Sequence, residues 1–63
     1  MTIDEIREAT KQTIIKTMQE AVRQMFTSET HVMKAVMLEM ECANELHNEY
    51  GMTLAEIEAL EVI

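Results

Sequence analysis

A chain of 63 residues with no Pro, one Gly and one Cys has room for one small core, and the lone Cys42 excludes the internal disulfide that often staples such a core. Its net charge of −7 argues against nucleic acid or an anionic membrane surface as a direct partner. No apolar run approaches the roughly 20 residues of a membrane span, and the acidic start Met1-Thr2-Ile3-Asp4-Glu5 is unlike a secretion signal, so the expected compartment is a reducing cytoplasm.

The chain opens with a helix start. Thr2 and Glu5 have the spacing of a capping box, and Met1 and Ile6 that of a hydrophobic staple. The pattern predicts a first helix over residues 3–26. Ile14, Ile15, Met18, Ala21, Val22, Met25 and Phe26 share one face at about 100° per residue, which is a core stripe. Traced backward, that face carries Asp4, Arg7 and Lys11. The stretch Phe26-Thr27-Ser28-Glu29 then interrupts the helix, with Thr27 or Ser28 as the next cap and Glu29 in the next first turn.

A second helix is predicted over residues 29–50, ended by Gly51 as the left-handed residue. Val32, Ala35, Val36, Cys42, Ala43, Leu46 and Tyr50 form its main apolar face, and Met33, Met37 and Met40 form a second ridge beside it. Together they cover roughly 220° of the circumference, against about 100° for a surface helix. One hairpin cannot cover so wide an arc. Met33, Val36, Met37 and Met40 are therefore the expected interface of a homo-oligomer. Glu39 lies near the centre of the main face and is expected as a buried carboxylate, with Lys11 or Lys16 closest in height. A third short helix is predicted over residues 54–61. Thr53 and Glu56 repeat the capping box, Met52 and Ile57 repeat the staple, and Leu54, Ile57 and Leu60 make one apolar edge. The joins are short, so the long helices should be antiparallel neighbours. The expected fold is all-α: one domain over residues 1–63, a helical hairpin plus a short C-terminal helix, assembling as a helical-bundle oligomer.

Charge is segregated along the chain. In residues 1–26 four acids balance four bases, whereas residues 27–63 hold eight glutamates and only Lys34. The acidic second part reads as a solubilising face, with mimicry of nucleic acid as the sharper alternative. Metal-capable residues are present in His31, Glu39, Cys42, Glu45 and His47, but no spacing among them matches a site, and no metal or cofactor is expected. Cys42 and His47 stand about 140° apart on a helix, too far round for nucleophile and base, and no glycine loop is present to cradle a phosphate. The chain is not expected to be an enzyme. Arg7 and Lys11, four residues apart near a helix start, are the candidate binding pair for a small anionic, nucleotide-like ligand; the plainer reading has both neutralising glutamates.

The size, the missing glycine loops and the capping-box start resemble those of small early proteins of bacterial viruses. That group includes inhibitors of host enzymes and oligomeric sponges for signalling nucleotides. Ser28-Glu29, Leu38-Glu39 and Ala43-Asn44 look like segments of helical anti-defence sponges. The resemblance implies a bacterial or viral regulator and assigns no site residue. The leading expectation is a non-catalytic interaction protein that binds itself and another protein through helix faces. The alternative is an oligomer that sequesters a small anion.

Overall fold

The computed structural model describes residues 1–27 and 32–61. They form α1 (Ile3–Thr27), α2 (Val32–Tyr50) and α3 (Leu54–Leu60), with no strand among the described residues. The all-α class holds; the described helices end at Thr27, Tyr50 and Leu60, against 26, 50 and 61 read from the pattern, and the expected start of the second helix at residue 29 lies outside the described residues. Ser28, Glu29 and His31 lie outside the described residues. The predicted cap of the second helix at Thr27 or Ser28 depends on residues outside the described ones. Thr27 closes α1, its hydroxyl donating to the Arg23 carbonyl at 2.9 Å.

The two predicted helix starts behave differently. At α3 the capping box is complete: Glu56 N–H donates to Thr53 Oγ1 at 3.1 Å, and Thr53 N–H donates to Glu56 Oε1 at 3.0 Å. Its staple is also formed, since Met52 and Ile57 are both buried. At α1 the Glu5 N–H donates to Thr2 Oγ1 at 3.1 Å and the Thr2 hydroxyl to the Glu5 carboxylate at 3.2 Å, as at Thr53, but the Thr2 backbone N–H makes no bond to Glu5 that would complete the box. The staple there is absent, with Met1 93% exposed. Every residue from 1 to 10 is exposed, so no core lies beneath Ile6 for Met1 to seal.

Gly51 adopts φ 68°, the left-handed conformation that ends α2. The Met52 N–H then donates back to the Leu46 carbonyl at 3.1 Å. The Met52 carbonyl is bonded to His47 Nδ1 at 2.7 Å. A carbonyl only accepts, so Nδ1 carries the proton. These two bonds fold residue 52 under the end of α2 and aim it at the core.

Met18 and Leu46 are the fully buried centre of that core, surrounded by Ile15, Cys42, Met52 and Ile57. Ile14, Ala43, Tyr50 and Leu60 pack at its margin. α1 and α2 share the main interface, and α3 packs against α2. Three members of the predicted apolar faces are exposed instead: Phe26 at 73%, Val32 and Leu54. Phe26 and Val32 stand at the described ends of α1 and α2, away from the Met18 and Leu46 centre. Leu54 fails for a geometric reason. Steps of three residues on a helix slip back about 60° each time, so an edge centred on buried Ile57 leaves Leu54 outside.

Candidate functional site

The surface that sets this chain apart is the outer side of α2. Ala35, Cys42 and Leu46 face inward and are buried. Turning by about 100° per residue places Met33, Met37 and Met40 on the far side, where they are 74%, 58% and 55% exposed. Val36, grouped with them in the sequence reading, is half-buried at the flank. Beside the methionines, Lys34, Met37, Leu38 and Glu41 line an open concavity of about 420 Å³. Leu38 belongs to this surface and was missing from the candidate residues. It sits on the strip that Lys34 and Glu41 mark as polar, so the charged neighbours hid it, although the helical wheel places it there.

Arg7 and Lys11 meet the chain's own groups. The Arg7 guanidinium donates to the Glu49 carbonyl and lies over the Tyr50 ring, 4.5 Å from its centroid. It therefore supplies both a donor and a positive charge at the C-terminal end of α2, where carbonyls lack helical partners. Lys11 is half-buried. The Glu56 carboxyl is held below its ordinary range by hydrogen bonds from the Thr53 backbone and hydroxyl, with the Lys11 charge adding to them. Both cations thus sit around the joint between α2 and α3.

Glu39 is half-buried rather than enclosed, and none of the described polar or charged residues is fully buried. The group it faces is Glu61, not Lys11 or Lys16. Glu61 is pushed up to about 7 by burial, by its hydrogen bond with Glu39, and by the charges of Glu39 and Glu58. Two carboxyls therefore meet at the edge of the core, and it is Glu61 that holds its proton. Cys42 is a buried free thiol. Burial pushes it above its ordinary pKa, and the charges of Glu45, Glu41 and Glu39 push it further. Such a thiol stays protonated and is a poor nucleophile at neutral pH. Among the described residues, no three His, Cys, Asp or Glu side chains gather as metal ligands would, and no helix is long and apolar enough to cross a membrane.

No family model, curated protein or solved structure matches this chain. The outer side of α2 is therefore read from its own chemistry.

Proposed function

We propose that this chain is a non-catalytic interaction protein. Its long helices run antiparallel as a hairpin closed by α3, and the outer side of α2 is the surface that binds a protein. It acts as a regulator or inhibitor by occupying a surface, without bond chemistry of its own.

The observation that carries this reading is the exposed strip of Met33, Met37, Leu38 and Met40 on a helix whose opposite side is already core. Fully burying an exposed side chain of this size contributes about 1.5–3 kcal/mol, and these are between 38% and 74% exposed, so covering each contributes about half of that. Together they approach the lower end of the roughly 5–15 kcal/mol net stability of an ordinary domain. Methionine suits the role, because its unbranched thioether chain adapts to the surface it meets. The antiparallel arrangement is supported by what touches what. Arg7, early in α1, reaches Glu49 and Tyr50 at the end of α2, while Ile15 and Met18 cluster with Cys42 and Leu46.

The test is capture from a bacterial lysate by the tagged full chain, compared with Met37→Glu and with Gln24→Glu. Both substitutions add one negative charge at an exposed position, but only the first lies on the proposed surface. Binding is expected to survive Gln24→Glu and to fall at least about tenfold with Met37→Glu, since an unpaired carboxylate in an apolar contact is strongly disfavoured. Equal capture by the two variants refutes the reading.

A further inference from the structure

We propose that the groove on α2 is filled by a second copy of this chain, with the two α2 helices crossing antiparallel about a two-fold axis between Met37 and Leu38. Lys34 of each copy then faces Glu41 of the other. This inference rests on the outer side of α2 being a protein-binding surface, and it names the occupant.

Four residues line the groove, Lys34, Met37, Leu38 and Glu41. Their spacing of i, i+3, i+4 and i+7 keeps them on one face through two turns. A two-fold rotation about the midpoint of this set exchanges position 34 with 41 and position 37 with 38. It therefore lays base on acid twice and apolar on apolar twice. The groove is complementary to itself in both charge and polarity, which is the requirement for an isologous contact. A parallel crossing in the same register sets Lys34 on Lys34 and Glu41 on Glu41, and like charges repel it. Orientation is thus decided by the same pair that supplies the attraction.

The wider charge distribution gives Lys34 its weight. Residues 27–63 carry eight glutamates and no other Lys or Arg. Two copies of a chain with net charge −7 repel wherever these acidic surfaces approach. The one cation of this region lines an apolar groove, two turns from a glutamate on the same face, and that is where a second acidic copy needs it. Met33 and Met40 flank the groove on the Met37 side and extend the apolar contact.

The experiment is sedimentation equilibrium of the full chain at tens of micromolar, with charge-swapped variants. The unmodified chain is expected at twice its 7.3 kDa mass. Lys34→Glu leaves glutamate at both positions and Glu41→Lys leaves lysine at both, so each alone is expected to dissociate at least about tenfold more readily. Mixed in equal amounts, the two are expected to form a one-to-one heterodimer. The double variant Lys34→Glu/Glu41→Lys is expected to dimerise like the unmodified chain. A monomeric unmodified chain, swaps without effect, or a mixture that stays monomeric overturns the proposal. If one single variant loses its helical circular dichroism signal, the double variant decides, a dimer supporting and a monomer overturning. A monomeric chain whose lysate capture still depends on Met37 overturns only the second copy as occupant. A monomer indifferent to Met37 overturns the surface as well.

Discussion

Glu61 faces Glu39 at the margin of the core, and that contact ties stability to pH. The native chain keeps a proton on Glu61 up to about pH 7, whereas an ordinary glutamate releases it near 4.5. Between those values the native state binds more protons than the unfolded state, so this contribution is complete below about pH 4.5 and is lost as pH rises through 7. Glu56 has the opposite sign. Its carboxyl is depressed in the native state, so its contribution is present above the ordinary value and is lost on further acidification. Urea unfolding across a pH series is expected to show falling stability between pH 4.5 and 7, and Glu61→Gln should flatten that slope. An unchanged slope in the variant refutes the assignment. Leu46 offers a different kind of test. It is fully buried beside Cys42, and Leu46→Ala should cost about 2–5 kcal/mol through lost burial and a cavity. Maleimide labelling of Cys42 reports the result: slow in the unmodified chain, whose thiol is buried and protonated, and faster in the variant as opening becomes frequent.

The joint between α2 and α3 shows how little sequence can end one helix and begin another. Gly51 turns the chain at φ 68°, and a Cβ added there meets no atom within 4 Å. Gly51→Ala should therefore cost only the backbone term, about 1–2 kcal/mol, and Gly51→Asn less, because Asn tolerates the left-handed region. Thr53→Ala removes the side-chain half of the capping box and should cost about 0.5–2 kcal/mol. Thermal unfolding of the three variants ranks these effects. α3 has only seven residues, too few to persist alone. It is held at its start by the box and staple and at its end by Gln19, whose amide donates to the Leu60 carbonyl at 3.0 Å. The box, the Gly51 stop and the Met18 and Leu46 stripes were legible in the sequence because each is a local spacing rule. Ile6, Phe26 and Leu54 were misplaced because burial depends on what lies opposite, which spacing along one helix does not encode. The same reason hid the destination of Arg7 and the pairing of Glu39 with Glu61, forty-two and twenty-two residues away along the chain.

The whole molecule, 41 × 23 × 18 Å, divides its methionines by surface. Met18 and Met52 are core, Met25 is intermediate, and Met33, Met37 and Met40 stand outside on α2. The wide apolar arc of α2 in the sequence already implied that division, since the inward side of one helix cannot hold so many large residues. Its chemical consequence is an ordered susceptibility to oxidants. Dilute peroxide acting on the dissociated single chain should convert Met33, Met37 and Met40 to sulfoxides well before Met18 and Met52, an order that peptide mass spectrometry reads directly. Each sulfoxide replaces an apolar thioether with a strong dipole, and the change is reversible by sulfoxide reductases. Oxidation would thus erase the sticky side of α2 while the fold beneath stays reduced, and enzymatic repair would restore it.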